Sequence, residues 1–316
     1  MSDLRQLSLF PDKPTHPKEI SMHTPLKATY DLFVQHLTKE GKSEHTIKAF
    51  TSDLMLVAEY LGDDTPIGQF TTTGLNRFLD WLENGRGVPC SRKSYARRVT
   101  TLKVYFKWLH TLGAIQHDPA KPVLQRSGPA PLSDVLTEQH IRDAIDFSRT
   151  IMMKKDKVQD TRPEMLLRLL LDTGLKKSEV MRLLPTDIDR LNPKMPQVFV
   201  RQASKNVYKE RRIPLDPDWV LLLDLYLDQY TPKDTIITCT ARNLEYILED
   251  IGKGIGLPFK LSFESLRWTC AVRDYRNGMD EMLIREKLGL SEVSWHETGA
   301  KVKKLSDKID SAKRDW

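Results

Sequence analysis

Cysteine is scarce in this chain, and histidine is almost missing from its second half. Three cysteines, Cys90, Cys239 and Cys270, lie far apart in 316 residues and form no C-x-x-C pair, which argues against a disulfide framework or a thiolate zinc site. No metal and no cofactor are expected. His296 is the only histidine beyond His140, and no tyrosine follows Tyr275. Long apolar runs are lacking too: nothing approaches the ~20 residues of a membrane span, and no early stretch has the form of a signal peptide. The expected compartment is therefore the cytoplasm, without a membrane partner. Nor is there a large excess of one charge. Lys and Arg number 49 against 43 Asp and Glu, giving a formal charge of +6 that suits a polyanionic partner but is spread over a long chain.

The residues that are present fall into two separately patterned halves. Residues 1–23 hold Pro11, Pro14 and Pro17 with few periodic apolar positions, and read as a flexible tail. Residues 24–118 read as a helical domain with helices over 26–40, 45–61, 72–85 and 91–111, Ser43 capping the second and Gly41 and Gly62 bordering it. Asp118-Pro119, Pro122, Gly128-Pro129 and Pro131 then bar any helix or central strand, so 119–135 is the linker. Residues 136–316 form the second domain. In it, Thr161-Arg162-Pro163-Glu164 has the form of a capping box opening a leucine-rich helix that stops near Gly174. Gln197 to Arg201 and Arg211 to Pro214 read as strands joined by a polar loop, and Ala300 to Asp310 as a helix.

The helix from Ser91 to His110 has the pattern of a nucleic-acid-facing surface. Val99, Leu102, Phe106 and Leu109 recur at three- and four-residue steps and should face the core. Arg92, Lys93, Arg97, Lys103 and Lys107 lie largely outside that stripe, where cations neutralise phosphates and give affinity with little sequence information.

Several segments together resemble the tyrosine recombinase (phage integrase, Xer-like) family. SEHTIKAFTSDLMLVAEYL fits its S-x-x-T…Y-x-x-D-L pattern, with Phe50 at the aromatic position, and SRKSYARRVTTLKVYFKWLHTLGAIQHDPA fits the closing helix of its core-binding domain. TGLKKSEVMRLLPTDID, KERRIPL and residues 262–295 fit the catalytic domain. The resemblance implies a mainly α fold: a helical SAM-like core-binding domain joined to an α+β domain of the recombinase catalytic type, the two clamping double-stranded DNA. It also implies a DNA-facing role for His45, Thr46 and Lys48, and a C-terminal helix that docks on a neighbouring subunit.

The family's chemistry converges two arginines, a hairpin lysine and two histidines on one scissile phosphate, which a tyrosine attacks. Such a set supplies cations and donors to the equatorial oxygens and a proton to the leaving oxygen. At the matching positions this chain has Lys176 for the first arginine, Lys205 at the hairpin with Lys209 at a second site, Glu264 and Leu290 for the histidines, and Gly299 for the tyrosine. Arg267 matches outright, and Lys205 lies within one residue of the lysine position. Lys176 keeps the charge without the planar fork; Glu264, three residues before Arg267, is expected to pair with it; Leu290 should cap its helix by an apolar contact. Ser291 and Ser294 are hydroxyls near the nucleophile position without an activating base, and Tyr275 is expected in the core. Each lost donor typically costs on the order of 10²–10³ in rate.

In the tail, Gln6-Leu7-Ser8-Leu9-Phe10 resembles the pentapeptide by which bacterial replication and repair proteins hold the sliding clamp. Leu9 and Phe10 are the apolar anchors and Gln6 the polar one. Three readings follow: a non-catalytic DNA-binding accessory or regulator, beside an active recombinase or another copy of itself; an active recombinase with a displaced or partner-supplied nucleophile; and a protein-interaction scaffold. The missing tyrosine favours the first over the second, and the basic helix favours it over the third.

Overall fold

The computed structural model describes residues 13–125, 132–152, 160–201 and 210–314. The sliding-clamp motif and Lys205 and Lys209 lie outside them. The chain divides into two compact units, Met1–Ala130 and Pro131–Trp316.

The first unit is built from α1 (Tyr30–Lys39), α2 (Glu44–Leu61), α3 (Thr72–Asp80) and α4 (Arg92–Thr111). Ser43 caps α2 by accepting from the Thr46 N–H at 3.2 Å, and Gly62 closes it at φ +97°. The helix expected over 72–85 is α only to Asp80 and widens into a π-turn over Trp81–Gly85, with the Arg86 N–H reaching the Trp81 carbonyl at 2.9 Å. Inside α4, Val99, Leu102, Phe106 and Leu109 are buried as the periodicity requires, and Tyr95, Tyr105 and Trp108 join them. The Tyr105 hydroxyl lies 2.6 Å from that of Thr29, whose single proton goes to the Leu26 carbonyl at 2.7 Å, so Tyr105 donates.

The second unit holds α5 (Glu138–Met152), α6 (Arg162–Thr173), α7 (Lys177–Val180), α8 (Pro217–Tyr230), α9 (Ala241–Gly254), α10 (Phe263–Arg276), α11 (Glu281–Lys287) and α12 (Glu292–Arg314). A three-stranded antiparallel sheet accompanies them, β1 (Ile188–Asp189), β2 (Gln197–Val200) and β3 (Arg211–Pro214), with Val198 opposite both Ile188 and Ile213. The two-residue β1 is too short for an alternating pattern to reveal. A core of leucines from α6 packs against α5, α8, α9 and α10.

The capping box at Thr161 does not form. The Thr161 N–H and hydroxyl both donate to Gln229 Oε1, at 3.0 and 2.7 Å, and the Asp160 carboxylate takes the Arg162 N–H at 3.0 Å instead. Glu164 accepts from Arg149 at 3.0 Å rather than reaching back to the cap. Local spacing was right for a box, but tertiary partners captured both side chains.

Candidate functional site

Arg267, read from sequence as keeping the arginine of the recombinase pattern, is built into the fold. It lies on α10, which Ser262 caps through the Ser265 N–H at 3.1 Å, and its two terminal nitrogens donate to the carbonyls of Gly174 and Leu288, each at 2.5 Å. These carbonyls belong to the C-terminal ends of α6 and α11, where helices leave acceptors without intrahelical partners. Burial pulls the guanidinium down to about 10, while the Glu179 carboxylate opposes that shift. The expected Glu264–Arg267 pair is therefore corrected. Glu264 is exposed, and the donors it was to meet are engaged by backbone.

Beneath Arg267 lies a buried ion pair. Arg211, from β3, donates to both Glu179 oxygens at 3.1 and 3.0 Å and from Nε to the Lys287 carbonyl at 2.6 Å. Both side chains are about 5% exposed (6% and 5%). Glu179 also takes the Lys176 N–H at 2.8 Å. Burial alone would push its carboxyl up, but the bonds from Arg211 and the Lys176 amide hold it below the usual carboxylate range. Gly289, at φ +59°, lies against this guanidinium, and a β-carbon there would sit 2.8 Å from Arg211 Nη1.

Above these residues opens a cavity of about 360 Å³. Lys176, Lys177, Glu264, Arg267 and Thr298 supply its polar groups; Phe263, Trp268, Ala271, Leu288 and Leu290 supply apolar walls. Three positions where the recombinase pattern places phosphate ligands, Lys176, Glu264 and Leu290, thus meet Arg267 at one cavity. Leu290 packs half-buried against the cluster formed by α10, α11 and α12, and its N–H returns to the Arg285 carbonyl at 3.1 Å, in line with the expected apolar cap.

The position that motif spacing assigned to the nucleophile is crowded. Gly299 is buried on α12, and a β-carbon there would stand 2.9 Å from Cε2 of Trp295, one turn earlier. Ser291 and Ser294 are engaged in starting that helix: the Ser294 N–H donates to Ser291 Oγ at 3.2 Å, and the two hydroxyls lie 3.0 Å apart. His296 is exposed, and Tyr275 packs beside Val272. The helix expected at 300–310 is part of α12, which buries Val302 and Leu305 against α10 and α11.

Family comparison accounts for this geometry. Residues 30–112 match the phage integrase N-terminal SAM-like domain, and residues 134–298 match the phage integrase family. The chain belongs to the phage integrase family. Tyrosine recombinase XerD of Listeria innocua is 25% identical over 283 residues, covering 85% of this chain and 92% of that protein. Tyrosine recombinase XerC of a Mycobacterium species is 24% identical over 302 residues, covering 89% and 98%. Among solved structures, the XerH site-specific recombinase bound to a palindromic difH substrate matches with a TM-score of 0.69 at 17% identity, over 90% of this chain and 83% of that one. A lambda integrase dimer bound to a COC′ core site matches at 0.68 and 17%, over 87% and 77%. These likenesses establish the tyrosine recombinase fold.

In the integrase SAM-like unit, the residues read from sequence as DNA-facing divide into two groups. His45, Lys48, Arg92, Lys93 and Lys107 are exposed, and Thr46 and Lys103 are half-buried. Lys48 pairs with Glu44 at 2.6 Å. Arg97 instead donates from Nε and Nη2 to the buried Asp53 at 3.0 and 2.7 Å, and Thr101 completes that carboxylate at 2.9 Å. Asp53 is 2% exposed and its charge needs compensation, while the Arg97 side chain remains 43% exposed, so Arg97 serves the fold and still reaches the surface. Sequence reading also missed Glu179 and Trp295. Glu179 follows Lys176 by three residues in a motif whose first arginine drew the attention, and the partner Arg211 stands in the quoted KERRIPL. Trp295 offered only its spacing of four from Gly299.

Proposed function

We propose that this chain is a non-catalytic, DNA-binding member of the tyrosine recombinase family, an accessory or regulatory factor in recombination or integration. The observation that carries this reading is Gly299, buried under Trp295 where the family's nucleophile falls. Lys176, Glu264 and Leu290 around the same cavity leave out the planar fork and the two imidazoles that phosphoryl transfer uses. Duplex DNA is the ligand, met by His45, Thr46, Lys48, Arg92, Lys93, Arg97, Lys103 and Lys107 and by Lys205 and Lys209. The test is a nicked suicide duplex resolved on a denaturing gel. No covalent adduct is expected, and an adduct mapped to any residue overturns the reading in favour of an active recombinase with a displaced nucleophile.

The partners proposed beside DNA are an active recombinase or a second copy of this chain, and, in the cytoplasm, the bacterial sliding clamp. Gln6, Leu7, Leu9 and Phe10 supply the clamp contact, and a tethered contact of this kind raises the local concentration of a weak DNA binder. Calorimetric titration of the full chain with purified clamp should show binding that Leu9→Ala with Phe10→Ala abolishes. No binding at about tens of micromolar, the weak end for a short motif, removes the clamp from the proposal.

A further inference from the structure

The SAM-like unit carries a second recessed surface, distinct from the cationic positions on α2 and α4. A cleft of about 600 Å³ opens where α3 passes into the π-turn, within the roughly 300–1,000 Å³ common to small-ligand sites. Its floor is aromatic. The rings of Tyr60 and Trp81 are 5.1 Å apart, inclined at 33°, with the buried Phe78 behind them at 6.0 and 6.2 Å. Both rings are half-buried, and the Arg86 guanidinium stands 6.0 Å from the indole centroid; at Gly85 a β-carbon would stand 2.7 Å from Trp81 Cδ1, so a side chain there would collide with the indole. Single π-type turns of this kind concentrate at functional sites.

Two polar side chains on the rim are unengaged. Asn76 and Arg77 are exposed on α3, and neither has a side-chain hydrogen-bond or ion-pair partner among the described residues. Asp80 accepts from the Asn84 amide at 2.8 Å, which leaves the second carboxylate oxygen and the amide carbonyl as further acceptors. One cleft thus combines a stacking platform, a forked cation, and neighbouring amide and carboxylate groups. A planar neutral ring would leave Arg77 without a counter-ion, and a simple phosphate would leave the aromatic floor unused.

We propose that this cleft binds a single unpaired nucleotide, its base on the Trp81–Tyr60 platform, its phosphate on Arg77 and its base edge on Asn76 and the Asp80–Asn84 pair. Stacking of a base on an aromatic side chain contributes about 1–3 kcal/mol and tolerates any sequence; Arg is the side chain whose planar fork matches phosphate. The nucleotide has two possible sources, a free mononucleotide or an unpaired position in a DNA strand. The inference is independent of the cleavage question and of duplex binding.

The experiment uses the full chain and follows binding of deoxynucleoside monophosphates, a labelled single-stranded oligonucleotide and the same sequence as duplex. Intact protein should bind a single-stranded or free nucleotide, and Asn76→Ala with Arg77→Ala should weaken that binding at least about tenfold, equivalent to about 1.4 kcal/mol, with duplex affinity and melting temperature unchanged. Binding of the oligonucleotide alone identifies DNA as the source; binding of monophosphates identifies the free nucleotide. If neither binds at millimolar concentration, or if the double variant binds as the intact chain does, the cleft is not a nucleotide site.

Discussion

Trp295 occupies the space that a side chain at Gly299 would need, with its indole Cε2 2.9 Å from an ideal β-carbon there. A tyrosine introduced at 299 therefore meets the indole before it meets DNA. Gly299→Tyr is expected to destabilise the second unit by about 1–3 kcal/mol, the usual cost of overpacking, and to give no strand cleavage. Trp295→Ala in the same chain should recover stability, read from urea midpoints. Equal stability of Gly299→Tyr and the intact chain would show that the indole yields freely.

Removing a partner from the buried Asp53 separates structure from DNA contact. Arg97→Ala leaves that carboxylate short of its forked donor while Thr101 and Arg98 stay beside it; because Arg97 is 43% exposed, a loss of about 1–3 kcal/mol should appear in thermal or urea unfolding. Asp53→Asn with Arg97→Ala should cost less than the sum of the single changes, because the stranded charge is gone.

Arg92→Ala with Lys107→Ala should behave in the opposite way. Both residues are exposed, so stability should stay within about 0.5 kcal/mol. Duplex affinity should fall for all sequences alike, and the salt slope should flatten by roughly one unit for each phosphate no longer neutralised. Unchanged affinity would make this helix face a solvated surface.

Glu179 sets an acid limit on the second unit. Its folded carboxyl lies below its ordinary 4.5, so the pair with Arg211 contributes stability above that value and loses it as pH falls through the lowered folded value. Unfolding midpoints measured from neutral pH down into that window should drop. Glu179→Gln should be less stable at neutral pH and show a flatter acid limb; an unchanged acid limb would assign the effect to other carboxylates.

Arg267→Ala should weaken folding before it weakens DNA binding. It strands two helix-end carbonyls, and each orphaned buried acceptor costs about 1–3 kcal/mol. Hydrogen exchange should rise first at the ends of α6 and α11. If the variant instead loses DNA affinity at full stability, Arg267 is a phosphate ligand.

Periodic features were the readable ones. The apolar stripe of α4, the Ser43 cap, the glycine stop at Gly174 and the short apolar strands each rest on residues within a few positions of one another, and the structure has them. Interactions across long sequence separations escaped. Thr161 and Glu164 had the spacing of a capping box, yet Gln229 and Arg149 took their side chains; nothing local to Arg97 showed that it also holds Asp53, 44 residues earlier. The recombinase frame located the cavity from its motifs alone. The buried pair of Arg211 with Glu179, 32 residues apart, was not announced by any local pattern.

Arg211 and Arg267 both fasten the end of α11, one on the Lys287 carbonyl and the other on that of Leu288. Together they tie β3, α7 and the ends of α6 and α11 into a single knot, and that duty does not depend on any reaction at the cavity above. An arginine with such a second employment can outlast the chemistry that its position suggests. Glu264 and Leu290 line the cavity without holding helix ends in this way, so substitution at their positions leaves the knot tied. Arg267 therefore has a part in holding the fold together whether or not a reaction takes place at the cavity.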